Sequence, residues 1–308
     1  RGIRFIVPGD DEWPTSLSGR AHAGPLQGRG DVPVGLWVRG PQSLAELGPS
    51  VAIVGSRSAT TYGDEVSSSM AATVAAAGFT VVSGAAYGVD YAAHRGAVTA
   101  DGRTVAVLAC GVDRAYPVGH RQMLDYLGEH HAVVSEAPPG SAPFRIRFLA
   151  RNRIIAALAR GTVVVEAAVR SGALNTASWS DRLHRTVMAV PGSVFSAPSE
   201  GVHELLRCGA ASLVTGGGDV LELLSEPGEH LVDTPRAPES PRDLLTVRAR
   251  QVLDAVPAAR AAPAASVALV AGLGLEEVEG LLQALVADGH VEQTPAGWRL
   301  GSEVIAND

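Results

Sequence analysis

The chain reads as an α/β protein: a doubly wound, mostly parallel Rossmann-like sheet with a loop-rich N-terminal extension and a small C-terminal winged-helix-like domain. Three observations predict this. Short, almost wholly apolar runs recur from Val51 to about Leu224, helix-compatible stretches separate them, and Gly, Ser or Pro bounds each run. A strand buried on both faces has no polar side to present, so it reads as a continuous apolar run. Strands alternating with helices imply crossover connections, which put helices on both faces of a parallel sheet.

The expected strands are Val51–Val54, Thr80–Ser83, Thr104–Leu108, Ala132–Ser135, Thr162–Val165, Thr186–Val190 and Ser212–Val214. The expected helices are Asp64–Ala77, Tyr91–Ala100, Gly119–Gly128, Phe148–Arg160 and Ala173–His184, and the whole domain spans residues 49–225. Residues 1–48 hold five prolines and predict an extension packed on the core, because Trp13, Leu17, Leu36, Trp37 and Val38 need burial. Pro227, Gly228, Pro235, Pro238 and Pro241 mark a linker over 226–245. Residues 246–308 then predict three helices and a hairpin (Val247–Val256, Ser266–Ala271, Leu275–Asp288, Val291–Leu300), the order of a winged helix.

All 25 basic residues are Arg and none is Lys. A P-loop lysine, a Schiff-base lysine and a lysyl nucleophile are therefore excluded, although an Arg-favouring, GC-rich genome is explanation enough for the bias. Cys110 and Cys208 stand far apart with no second pair to build a zinc site, a usage that suits a reducing cytoplasm. No metal and no cofactor is expected. No apolar run approaches the ~18–20 residues that cross a bilayer, so no membrane partner is expected either.

A net charge of −7 argues against indiscriminate coating of nucleic acid, yet binding follows local potential. Between Glu136 and Glu166 there is no acidic residue, while Arg145, Arg147, Arg151, Arg153 and Arg160 fall inside. From Thr246 to Asp308 the balance reverses, with four Arg against eight Asp and Glu.

Ligands of open parallel sheets sit beyond the carboxyl ends of the strands, so the residues following each strand are the candidates. Gly55-Ser56-Arg57 follows the first, before the helix that starts near Tyr62-Gly63. Such a turn exposes N–H groups beside a helix N-terminus, and Arg57 adds a planar fork for phosphate. Alone, it reads as a plain tight turn. Ser83-Gly84 and Gly88-Val89-Asp90 follow the second strand, with Asp90 as an expected N-cap and His94 as an expected hydrogen-bonded core histidine. Glu136 ends the fourth strand as a lone carboxylate with an expected structural role.

Phe148, Arg151, Asn152 and Arg153 then open an apolar helix. A surface helix offsets its arginines with acids three or four residues away, and here none is near in sequence. Interleaved Phe and Arg suit a groove that tracks a nucleic-acid backbone and stacks bases. Ser171-Gly172, after Val165-Glu166, offers another helix N-terminus with Thr176 in its first turn.

These residues, in order, resemble the DprA/Smf (DNA processing protein A) family. The matching stretches are Val54-Gly55-Ser56-Arg57 with Tyr62-Gly63, Ser83-Gly84-Ala85 with Gly88-Val89-Asp90 and Ala93-His94, and Gly111-Val112-Asp113 with Tyr116-Pro117. Ser135-Glu136, Phe148 with Arg151-Asn152-Arg153-Ile154-Ile155, Glu166 with Ser171-Gly172, and Val190-Pro191-Gly192 continue the run to about residue 225. Departures are Leu149-Ala150 where the family often has Pro-x, Cys110 and His184 where it often has Gly, and Ser180 for a usual Ala. The resemblance implies a cytoplasmic, non-enzymatic protein that dimerises through its Rossmann domain, binds single-stranded DNA and helps load the RecA recombinase in natural transformation. It implies nucleic-acid binding at Gly55, Ser56, Arg57, Tyr62, Gly63, Ser83, Gly84, Gly88, Phe148, Arg151, Asn152, Arg153, Ser171 and Gly172.

Two enzyme readings are weaker. A phosphoribohydrolase-like nucleotide enzyme would show Pro-Gly-Gly-x-Gly-Thr before a helical Glu, and the region from Glu166 to Thr176 lacks that string. A nicotinamide enzyme would show Gly-x-Gly-x-x-Gly where this chain has Gly55-Ser56-Arg57-Ser58-Ala59-Thr60.

Overall fold

The computed structural model describes residues 2–17, 32–232 and 240–301. The chain divides into two compact units, residues 1–233 and 234–308. The first is organised by one nine-stranded sheet in the order β1-β2-β6-β5-β4-β3-β7-β8-β9. Its strands are β1 (Ile3–Ile6), β2 (Leu36–Arg39), β3 (Ser50–Val54), β4 (Thr80–Ser83), β5 (Thr104–Val107), β6 (Ala132–Ser135), β7 (Gly161–Val164), β8 (Thr186–Ala189) and β9 (Ser212–Leu213). From β6 across to β9 every pairing is parallel. The doubly wound, Rossmann-like class is what the apolar runs predict.

The period-two alternation of a strand sorts its residues between two cores. Val51, Ile53, Val163, Val165 and Met188 join α1 (Thr61–Ala76), α2 (Val89–Thr99) and α7 (Gly217–Leu224) on one face. Ala52, Val54, Val164, Val187 and Ala189 join α4 (Arg145–Leu158), α5 (Gly172–Arg182) and α6 (Glu200–Arg207) on the other. Helix α3 (Arg121–His130) follows a 3-10 turn at Val118–His120 and inserts Leu124 and Leu127 beside Ala106 and Val133.

The expected extension is more regular than its prolines suggest. β1 and β2 pair antiparallel, and β2 pairs antiparallel with β6, so this segment lengthens the sheet. Trp13, Leu17, Leu36 and Val38 share a core with Ile154, Ile155, Ala157 and Leu158 of α4, while Trp37 is only half-buried. The expected prolines Pro25 and the stretch around it lie outside the described residues. Helix α4 is thus enclosed by the sheet and the extension, which explains why Arg151–Leu158 are all buried.

Several helices begin before the hydrophobic pattern does. Thr60 caps α1, its side chain accepting the Gly63 N–H at 3.1 Å. Asp90 is not an N-cap. Gly88, with φ of 74°, holds that position, and Asp90 lies in the first turn of α2, accepting the Ala86 N–H at 3.3 Å. His184 has a φ of 53°, a left-handed conformation that accounts for glycine being usual there in the resembling family.

In the second unit, α8 (Val247–Ala255), α9 (Ala264–Ala271) and α10 (Leu275–Ala287) enclose Val252, Val267, Val278 and Leu282. The hairpin β10 (Val291–Thr294) and β11 (Gly297–Leu300) adds Trp298 to that core. Three helices followed by a hairpin is the expected order.

His94 is fully buried on α2, with Nδ1 2.8 Å from the Thr104 hydroxyl. Because that hydroxyl donates to the Val81 carbonyl at 2.8 Å, it accepts from His94 Nδ1–H, and Nε2 is left without a partner. Burial depresses the imidazole pKa from 6.5 to about 3. Its folded value lies below its unfolded value, so below pH 6.5 the unfolded chain takes up a proton that the folded chain refuses. Stability therefore falls as pH drops from about 6.5 towards 3, by up to about 1.4 kcal/mol per pH unit from this group. Urea melts should show His94→Gln losing less stability than the unsubstituted protein between pH 6.5 and 4. Parallel curves would contradict the assignment.

Candidate functional site

After β3 the chain builds outward through β4, β5 and β6, and then returns to place β7 on the other side of β3. The loops leaving β3 and β7 diverge from this switch point and open a crevice. A cleft of about 810 Å³ lies there. It brings together Gly55, Ser56, Arg57, Phe148, Arg151, Asn152, Ser171 and Gly172, eight of the residues expected at the site.

Arg57 is exposed, has no carboxylate partner among the described residues, and lies over the Phe148 ring at 5.0 Å from its centroid. The Tyr116 ring lies against Phe148, tilted by 53° with centroids 5.6 Å apart. The turn carrying Arg57 is fixed from behind: Val89 N–H donates to Ser56 O at 3.2 Å, and Ser56 Oγ accepts the Ser58 N–H at 3.1 Å. Gly88 supports the same turn from outside the cleft, since a methyl there would collide with the Ser56 carbonyl.

Two helix N-termini face the cleft. Helix α4 starts after Phe144 without a side-chain cap, and Pro143 and Arg145 line the wall. Helix α5 starts after Ser171, whose Oγ accepts the Ala173 N–H at 3.3 Å, and Gly172 borders open space. Uncapped N–H groups and the helix dipole make both ends favourable to anions. Asn152 steadies this arrangement, donating from Nδ2 to Gly172 O at 3.1 Å.

Arg151 forms the floor and is only 6% exposed. Its Nη1 donates to Val107 O at 3.0 Å, and its Nε has no partner. Burial lowers its pKa, opposed by Asp90. Burial likewise raises that of Asp90, opposed by Arg151 and by the Ala86 and Gly84 N–H groups. Gly84 stands against the guanidinium, so a side chain there would displace Arg151. Ser83 is fully buried, its hydroxyl donating to Ile53 O at 2.6 Å. Gly84 therefore makes room for Arg151, Ser83 ties β4 to β3, and neither lines the cleft.

Arg153, expected at the site, does not line the cleft. It points away from the cleft, 7% exposed, and forms a double ion pair with Glu136, Nη1 to Oε2 at 2.9 Å and Nη2 to Oε1 at 2.6 Å. No acid is near these arginines in sequence, as expected; the partner is Glu136, which follows β6 and is brought to Arg153 by the fold. Tyr62 and Gly63 lie beside the cleft. Tyr62 donates to Pro191 O at 2.6 Å, and Gly63 leaves room for the Glu166 carboxylate, which a methyl there would strike. Glu166, 1% exposed, accepts the Thr60 N–H at 3.0 Å and its hydroxyl at 2.6 Å.

Sequence reasoning missed Arg170, exposed in the loop between β7 and α5, and gave Arg145 only as part of a charge run. Both line the cleft. Arg170 stands at a strand end just before Ser171, and that position was its available signal. Arg57, Arg145, Arg151 and Arg170 thus face the single carboxylate Asp90 among the lining residues.

Because Arg153 is partnered and turned away, Arg153→Ala should lower stability by about 1–3 kcal/mol, measured by urea unfolding. Removing Glu136 as well should recover part of that loss. An unchanged midpoint in Arg153→Ala would show that the pair contributes nothing.

The model of the DNA recombination-mediator protein A family matches residues 4–225. A Mycobacterium tuberculosis protein with the provisional name DNA processing protein DprA is 46% identical over 306 residues, covering 97% of this chain and 77% of its own. DNA processing protein DprA of Streptococcus pneumoniae is 42% identical over 191 residues, 62% of this chain and 67% of its own. The X-ray structure of the Streptococcus pneumoniae protein superposes with a TM-score of 0.66 at 37% identity, covering 73% of this chain and 76% of that one. A Helicobacter pylori DNA processing protein A structure, described for its single-stranded DNA binding mode, shares the fold with a TM-score of 0.62 at 24% identity, covering 71% and 94%. The chain belongs to the DNA recombination-mediator protein A (DprA) family.

Proposed function

We propose that this protein binds single-stranded DNA in the switch-point cleft, tracking its backbone without catalysing a reaction. The observation that carries this reading is Arg57: exposed, without a carboxylate partner, and stacked on Phe148 at the mouth of a cleft with two helix N-termini. Phosphate oxygens suit Arg57, Arg145, Arg170 and the N–H groups at Ser56 and Gly172. Bases suit the Phe148 and Tyr116 rings. Arg151 contributes potential from the floor and orients the surrounding loops. The Helicobacter pylori relative described as binding single-stranded DNA supports the choice of ligand.

A duplex is a poorer fit, because a stacking platform needs bases that are not already paired and stacked. Glu166, the buried carboxylate at the end of β7, has both oxygens occupied in holding the start of α1. That supports a binding role over a phosphoribohydrolase-like one. We further propose, from family membership, that the protein acts in the cytoplasm as a homodimer formed through its Rossmann domain. There it would protect incoming strands and help load RecA in natural transformation.

The second unit is proposed not to grip DNA. The exposed residues of α10 include Glu276, Glu277 and Glu279, and phosphate contacts need positive charge. Deleting residues after Pro235 should leave single-strand affinity within about threefold, or ~0.7 kcal/mol. A hundredfold loss in a folded truncated protein would refute this.

Arg57→Ala should weaken binding similarly for different base sequences and flatten the slope of log K against log salt by about 0.7. Phe148→Ala should cost about 1–3 kcal/mol with little change of slope. Salt titrations of fluorescence anisotropy read both. An unchanged slope in a stably folded Arg57→Ala protein would remove the phosphate contact from the account.

A further inference from the structure

The cleft has two tiers. Arg57, Arg145 and Arg170 are exposed on its rim. Its lining also reaches side chains that solvent barely touches: Val54 at the end of β3, Ile155 on α4 and Thr176 on α5 are each no more than 3% exposed. Arg151 belongs to this lower tier, and its guanidinium is incompletely satisfied. Nη1 donates to Val107 O and Asp90 supplies opposite charge, but the buried Nε has no partner among the described residues. A buried donor left unpaired is costly, so a group that brings an acceptor to it gains more than the same group at the rim. The first turns of α4 and α5 line the same cleft, through Arg145 and Phe148 on one and Gly172 and Ala173 on the other.

Two kinds of phosphate can enter such a cleft. An internal phosphodiester carries one negative charge and has a nucleotide on each side, so its strand must leave in two directions. Rim arginines reach that group easily, whereas a recessed arginine does not. A terminal phosphomonoester is tethered on one side only. It presents three acceptor oxygens and a charge of about −1.5 to −2 at pH 7. Four arginines against one carboxylate, together with two helix N-termini, match that charge better than a single one.

We propose that the lower tier receives the end of a strand: a terminal phosphomonoester seated between the starts of α4 and α5 and hydrogen-bonded by Arg151, with the following nucleotides running out over Phe148 and Tyr116. This rests on the reading of the cleft as a single-strand site, and adds which part of a strand it takes. The rim arginines then serve internal phosphates, while Arg151 recognises the end.

The test uses the full chain and short oligothymidylates that differ only at their ends, competing against an internally labelled strand in fluorescence anisotropy. A strand phosphorylated at one end should bind roughly ten- to a hundredfold more tightly than its dephosphorylated counterpart, the worth of one charge-assisted hydrogen bond. The 5′- and 3′-phosphorylated strands are measured separately, and an advantage at either end supports the site and assigns the polarity of the bound strand. That advantage should shrink between about pH 7 and pH 5, because the monoester takes up its second proton near pH 6 and only the dianion exceeds a diester in charge. Arg151→Lys, which keeps a charge but lacks Nε–H, should narrow the advantage in protein of verified melting temperature; an undiminished advantage there would overturn the role of Arg151. Thymidine 5′-monophosphate presents the same group without a strand. Competition by it as strong as that of the phosphorylated strand would make a free nucleotide the ligand and overturn the proposal. Equal affinity for phosphorylated and dephosphorylated strands, with Arg57→Ala impaired on both, would overturn the end site and leave the cleft standing. Equal affinity with Arg57→Ala unimpaired would remove both.

Discussion

The reversal of winding direction at β3 and β7 is the constraint from which the rest follows. Two strands that pair side by side send their chains to opposite faces of the sheet, to α1 on one and α5 on the other. No helix can then cover the groove between their carboxyl ends. The Gly55–Ser58 turn and the Ala168–Ser171 loop are the edges of that groove. The apolar strands beneath, sorted residue by residue between two cores, make those edges rigid enough to hold a ligand in register.

Polar groups are then used to fix the rim. Arg151, buried against Gly84 and the Val107 carbonyl, ties α4 to the ends of β4 and β5. Arg153 and Glu136 tie it to the end of β6. Glu166 ties the end of β7 to the start of α1 through Thr60. A buried charge is costly unless its bonds are made, so each of these links orders the loop it reaches. The exposed arginines, Arg57, Arg145 and Arg170, are left to carry charge to the surface of a frame that their buried counterparts hold.

Much of this was legible in the sequence, because buried parallel strands have an unmistakable composition and strand ends a known role. Eight of the expected site residues meet in one cleft for that reason. What eluded sequence reasoning was long-range burial. Arg153 looked unpaired because its partner Glu136 is distant along the chain, and the first residues of the chain, which help to enclose α4, gave no local sign of doing so. Gly84, Gly88 and Gly63, expected at the site, serve it sterically, at one remove, and Ser83 through its bond to the β3 backbone. The antiparallel β1 and β2 were hidden in a proline-rich stretch whose pairing depends on the edge of β6, which local pattern does not encode.

Amide hydrogen exchange with and without a single-stranded oligothymidylate tests the central claim most directly, since it locates the ligand without altering any residue. The account predicts slowed exchange in the Gly55–Ser58 turn, the first turn of α4 and the stretch from Ala168 to Thr176, with α8 to α10 unaffected. Protection confined to α8, α9 and α10, with the cleft amides exchanging as before, would contradict it.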